Sequence, residues 1–129
     1  MSVVSGEILA LANELGEGIT ECHWRSSVSR AYYAAYHGCR IWHDALPVHG
    51  SNIGADGGKH QVLINQLSNP APEIRDGELK KKSKLLAAQL TALRTQRVAA
   101  DYYIHQSLDK VSQRNACVLA KQILERLNS

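Results

Sequence analysis

Residues Trp24 to Leu46 read WRSSVSRAYYAAYHGCRIWHDAL, and the spacing inside that stretch decides the fold. Trp24, Val28, Ala31, Ala35, Cys39, Trp42 and Leu46 recur at intervals of three and four, the repeat of one buried helix face. Thr20 is a natural N-cap and Pro47 a natural stop, so one long helix is predicted from about Thr20 to about Ala45. With Val28 as the zero of a helical wheel, Ala31, Tyr32, Ala35, Cys39 and Trp42 fall within about 60° of it. Arg30, Tyr33, His37 and Asp44 gather within about 40° of the opposite pole. Such a stripe reads either as a solvated face or, because it carries a tyrosine and a histidine, as an interface.

Outward from this helix the same period persists. Ile8, Leu11, Ala12 and Leu15 predict a short helix over Ser5 to Leu15, closed by Gly16 and Gly18. Pro47 to Gly58 is rich in Gly, Asn, Ser and Asp and reads as a loop, followed by a short helix holding Val62, Leu63 and Leu67. Asn69 to Asp76, with two prolines, is a second loop. Leu79, Leu86, Leu90, Leu93, Arg97, Ala100 and Ile104 trace one face of a second long helix. Val111 to Leu127, with Val118, Leu119, Ile123 and Leu127, gives the last. No alternating strand pattern and no internal repeat interrupts them. The 129 residues therefore predict one all-α domain, a bundle of four to five helices built on two long antiparallel ones.

Composition narrows the setting. The opening residues carry Glu7, Glu14 and Glu17 and no basic start before an apolar block, which argues against a secretory signal, and no apolar run approaches a membrane span. Three scattered cysteines, Cys22, Cys39 and Cys117, encode neither a disulfide framework nor a closed zinc site, so a reducing cytoplasm is expected. A net charge of +3 permits contact with phosphate polymers without requiring it. Phe is absent and all five tyrosines fall in two clusters, Tyr32, Tyr33 and Tyr36, then Tyr102 and Tyr103.

Charge placement marks the second cluster. Arg97 lies about 20° from the centre of the Leu86, Leu93 and Ile104 face, where a cation needs a partner. Asp101, one turn on, can accept from the guanidinium, so the two read as a structural clamp or a shielded interface group. Cys39 and His43 have metal-ligand spacing, but no third or fourth ligand is spaced to join them, and no metal or cofactor is expected. Lys80, Lys81 and Lys84 fall on the outer face, where solvation is the ordinary role. Gly54, Gly57 and Gly58 lack the following Lys of a phosphate-cradling loop.

Arg30-Ala-Tyr-Tyr-Ala-Ala-Tyr-His37 on a long helix, His60 opening the next, and Arg97-x-x-Ala-Asp-Tyr102 on a later one together resemble the small prokaryotic HEPN proteins. The likeness spans roughly Trp24 to Leu127. It implies a helical bundle that often dimerises and is found beside minimal nucleotidyltransferases in toxin-antitoxin or phage-defence systems, with ribonuclease activity in some branches. Binding or interface roles then fall to Tyr33, His37, His60, Arg97, Asp101 and Tyr102, toward a nucleotidyltransferase partner, a nucleotide or RNA.

The nuclease branches of that family place a His closer behind the Arg of the late helix than here, where seven residues separate Arg97 from His105. Arg30 and His37 have six residues between them but lie in the earlier, tyrosine-rich helix. A metal-independent ribonuclease needs a proton-transfer group near the 2′-hydroxyl and a cation on the phosphate, which a His and an Arg supply. About 10 Å of helical rise separates Arg30 from His37, so a shared phosphate calls for a second subunit. The expectation is therefore a non-catalytic or partner-dependent homodimeric module. The alternative is a ribonuclease toxin using Arg97 and His105, or Arg30 and His37.

Overall fold

The computed structural model describes residues 4–52 and 57–129, so residues 53–56 of the expected loop, Gly54 among them, lie outside what is described. Five helices follow in order: α1 (Ser5–Gly16), α2 (Glu21–Asp44), α3 (Lys59–Ser68), α4 (Gly77–Tyr102) and α5 (Lys110–Leu127). No strand is present among the described residues, and none of these helices is long and apolar enough to cross a membrane.

Three helix starts are written in their caps. Thr20 accepts from His23 N at 3.3 Å, Asp76 from Glu78 N at 3.0 Å and Leu79 N at 3.2 Å, and Asp109 from Ser112 N at 2.8 Å. Chain directions follow from which side chains meet. Arg25 reaches Ala100, Tyr33 meets Arg97, and Trp42 lies by Lys82, so α2 and α4 run antiparallel as expected. Ser27 bonds Ala12 while Gly38 lies against Ser5, which turns α1 back along α2. Ser83 meets Leu67 and Arg94 meets Gln61, so α3 runs against α4.

One core unites the helices, with Tyr32, Leu63, Leu67, Leu86, Leu90, Leu93 and Ile123 as its largest buried side chains. Around the seam of α1, α2 and α5 the fillers are small: Ala12, Ala31, Ala34, Ala116 and Ala120 are all buried. Small residues let backbones approach closely. At Gly38 an added Cβ would come within 2.9 Å of Leu124 and Leu127. A polar knot sits in this seam, with Gln113 Nε2 donating to Ser27 Oγ at 2.9 Å and Ser27 Oγ donating to Ala12 O at 2.6 Å.

Several expected faces are corrected. Leu11 and Val118 are exposed, and the buried faces of α1 and α5 are formed by Leu9, Ala12 and Gly16, and by Gln113, Ala116, Cys117, Ala120 and Ile123. Trp42 packs only partly against the core. Ile104 does not continue the face of α4. The helix ends at Tyr102, Tyr103 N closes it on Ala99 O at 3.0 Å, and Ile104 stands exposed. The stop comes from Arg25, whose guanidinium donates to Ala99 O at 3.2 Å, Ala100 O at 2.9 Å, Tyr103 O at 3.5 Å and Gln106 O. It satisfies carbonyls that a continuing helix would have used. Glu21 completes the clip: Oε2 holds Arg25 Nε at 2.9 Å and Oε1 accepts from Leu108 N at 3.2 Å.

Candidate functional site

Adjacent residues on a helix point about 100° apart, so Tyr32 and Tyr33 divide the work of α2 between core and rim. Tyr32 is wholly buried, and burial pushes its phenol far above the ordinary tyrosine range, keeping the hydroxyl protonated. It shares a hydrogen bond of 2.8 Å with His60 Nδ1. Burial, then Arg97 and Arg94, pull His60 below the usual histidine range, and it is neutral at pH 7. The rings of Tyr36, Tyr32 and Tyr33 surround it at 4.5, 5.5 and 6.1 Å.

Arg97 faces this group from α4. Its Nη2 donates to the Tyr33 hydroxyl at 3.0 Å, and its guanidinium lies 5.7, 5.4 and 5.5 Å from the ring centres of Tyr32, Tyr33 and Tyr102. Nε stands 2.9 Å from Asp101 Oδ2, although its hydrogen is not directed along that line, so the contact is ionic more than directional. Ser29 Oγ donates to the same carboxylate oxygen at 3.2 Å. Burial works against the Arg97 charge, but Tyr33 and Asp101 outweigh it and keep the guanidinium firmly protonated. With side chains 13% and 26% exposed, Arg97 and Asp101 form a shielded clamp between α4 and α2, not a fully buried pair.

Tyr33 joins the two predicted groups into one surface. Arg30 lies over its ring at 4.7 Å and His37 stacks beside it at 6.2 Å, while its hydroxyl holds Arg97. The structure thus brings together Arg30, Tyr33, His37, His60, Arg97, Asp101 and Tyr102. It does not bring in His105, which sits exposed on the loop after α4 and forms no side-chain hydrogen bond among the described residues. The seven residues between Arg97 and His105 do not translate into helical rise, because α4 ends before His105.

Spacing alone missed Gln61 and Arg94 beside this surface, and Ser29, Tyr32 and Tyr36 as the buried residues that support it. Arg94, one turn before Arg97, donates to Gln61 Oε1 at 2.8 Å and contributes to the field on His60 and Tyr32. It also lines an open groove of about 370 Å³ between α3 and α4, with Gln61, Ile64, Thr91, Thr95 and Val98. Its position on the wheel beside Arg97 was the available signal. Three cations, two imidazoles and exposed or rim aromatic faces, with one carboxylate already paired, suit a phosphate and a stacked base.

A second grouping lies at the end of α2. His43, Asp44 and His49 place ligand-type atoms within 4.8 Å of one another. The polarity is wrong for a cation, because Gly50 N donates to His43 Nε2 at 3.0 Å, which leaves the buried Nδ1 as the N–H, 3.7 Å from Asp44 Oδ1. Cys39 does not join it; burial pushes its thiol up to about 12. Of the lysine run, Lys81 and Lys84 are exposed, and Lys82 is tied to Ser129 O at 3.0 Å.

No protein-family model, curated protein or solved structure matches this chain.

Proposed function

We propose that the chain is a HEPN-like helical module, acting in the cytoplasm as a partner-dependent component of a toxin-antitoxin or phage-defence system. The Arg30–Tyr33–His37 stripe and the His60–Arg97 cluster form its binding surface, and its ligand is a nucleotide or RNA phosphate presented alone or by a nucleotidyltransferase partner. The observation that carries this reading is the commitment of Arg97: Asp101 and the Tyr33 hydroxyl already hold it within a tyrosine cage. A guanidinium so held is a fixed recognition element. Transition-state charge needs donors already aimed at it, whereas Arg97 is engaged by Tyr33 and Asp101 and His60 Nδ1 by Tyr32. The exposed stripe of α2 supports pairing with a second copy, which light scattering tests directly.

The ribonuclease reading is favoured by one observation, the end of α4 at Tyr102, which frees His105 from helical geometry. One assay separates the two. Metal-free protein is incubated with single-stranded and structured RNA beside His37→Ala, Arg97→Ala and His105→Ala, and binding of the same RNA is followed by fluorescence anisotropy. The expected result is binding weakened by Arg97→Ala with little or no cleavage. Robust cleavage abolished by His105→Ala in a folded variant would establish the toxin instead, and cleavage lost only in His37→Ala would place that chemistry on α2.

A further inference from the structure

Arg94 is aimed by a relay of side-chain amides that begins on a different segment of the chain. Arginine has only donors, so Gln61 must turn Oε1 toward it, at 2.8 Å. That choice fixes the rest. Gln61 Nε2 then donates to Asn65 Oδ1 at 2.8 Å, and Asn65 Nδ2 donates to Asn52 Oδ1 at 3.0 Å. Every amide in the series points the same way, the arrangement in which successive hydrogen bonds polarise one another. Gln61 and Asn65 are one turn apart on α3, whereas Asn52 belongs to the strap that leaves α2.

The strap is itself held at three points. Ser51 N donates to Asn69 O at 2.9 Å, just past the end of α3. Gly50 presses so closely on that turn that an added Cβ would stand 1.8 Å from Gln66 O. Behind it, Gly50 N donates to Nε2 of His43, which is 1% exposed. A protonated imidazole carries hydrogens on both nitrogens and cannot accept from an amide. Burial, then His49 and Arg40, oppose that proton and hold His43 below the usual histidine range, while Asp44 favours it; the strap's contacts on the α3 side, Gln66 and Asn69, carry no charge.

We infer that Gln61, Asn65 and Asn52 are positioning residues for Arg94, and that His43 is the latch that holds the strap bearing the far end of this relay. Opening the latch by protonation releases Gly50, withdraws Asn52 and lets Arg94 lose its fixed aim, so ligand capture at the tyrosine cage responds to acidification. This rests on the phosphate-binding reading for its functional consequence, but the mechanical coupling stands or falls separately.

The test uses the full chain and two readouts. In 1H–15N spectra taken as pH is lowered from about 7.5 to the onset of acid unfolding, the Gly50 amide and the Arg94 Nε–Hε signals are expected to move in one shared transition, and a Gly50 amide that never moves would overturn the latch. The shared transition should persist in His60→Gln, which removes the imidazole that Arg94 acts on electrostatically. In Asn65→Ala, Gly50 should still titrate and Arg94 should no longer follow. An Arg94 signal indifferent to Asn65→Ala, or one that titrates with His60 instead of Gly50, would overturn the inference. Binding of a labelled single-stranded RNA oligonucleotide at neutral pH supplies the second readout. Asn65→Ala should weaken it by about threefold to tenfold, with no further loss in an Arg94→Ala background. If the RNA fails to bind while the two signals remain coupled, the phosphate-binding reading fails and the relay stands.

Discussion

Tyr32 and His60 are joined by a hydrogen bond of 2.8 Å between a fully buried hydroxyl and an imidazole at the start of α3. The bond fixes which ring nitrogen of His60 is protonated. In Tyr32→Phe the aromatic packing survives and the hydrogen bond is lost, so stability should fall by about 1 kcal/mol. Imidazole 15N shifts should change from a single tautomer to a mixture. An unaltered tautomer in that variant would show that something other than Tyr32 sets it.

Arg97→Ala should lower stability by about 1–3 kcal/mol, less than for a fully buried pair. Asp101 keeps Ser29 Oγ and, being a quarter exposed, can recruit water. Arg97→Lys preserves charge but loses the fork that reaches Tyr33 and Asp101 together, and should fall between wild type and alanine. Urea denaturation checks the order; an alanine variant as stable as wild type would mean that the clamp contributes nothing net.

Gly50→Ala should destabilise by about 2 kcal/mol or more, because the new methyl meets a backbone carbonyl that can move only with the end of α3. Gly58→Ala is the control, since open space surrounds that position. Equal stability of the two variants in urea melts would contradict the tight seating of the strap.

Acid should weaken the fold through histidine. His43 and His60 are both held below the ordinary range, mainly by burial, so the unfolded chain binds protons at higher pH than the native one. The stability this represents is complete above about pH 6.5 and declines as pH falls from there toward the depressed native values. Urea midpoints measured in steps from about pH 7.5 to about pH 5.5 should drop through that window, and less steeply in His60→Gln. A flat profile would show that neither imidazole is held neutral by the fold.

The helices were legible because Val28, Ala31, Ala35 and Cys39, or Leu86, Leu90 and Leu93, repeat at the helical period, and Thr20 and Pro47 bracket α2 in plain view. Arg97 with Asp101 was legible for the same reason, being neighbours one turn apart. Leu11 and Val118 misled because hydrophobicity ranks them above Ala12, Gly16 and Ala116, whereas close approach of α1, α2 and α5 selects for small size. Ile104 misled because periodicity carries no information about Arg25, the residue that ends α4 from across the bundle. The bond from Tyr32 to His60 and the relay to Arg94 join residues 28 and 33 positions apart, pairings no local spacing encodes.

The Arg25 clip also bears on how the chain reaches this state. Its bonds to the end of α4 span 74 to 81 residues, among the longest sequence separations in the hydrogen-bond network. Contacts of such high order form only after α2 and α4 have docked, because loop closure must come first. The turn from Tyr103 to Leu108 is therefore expected to organise on the native side of the folding barrier. Arg25→Lys should then accelerate unfolding while leaving the folding rate nearly unchanged, making the α4–α5 turn the part of the molecule that opens first.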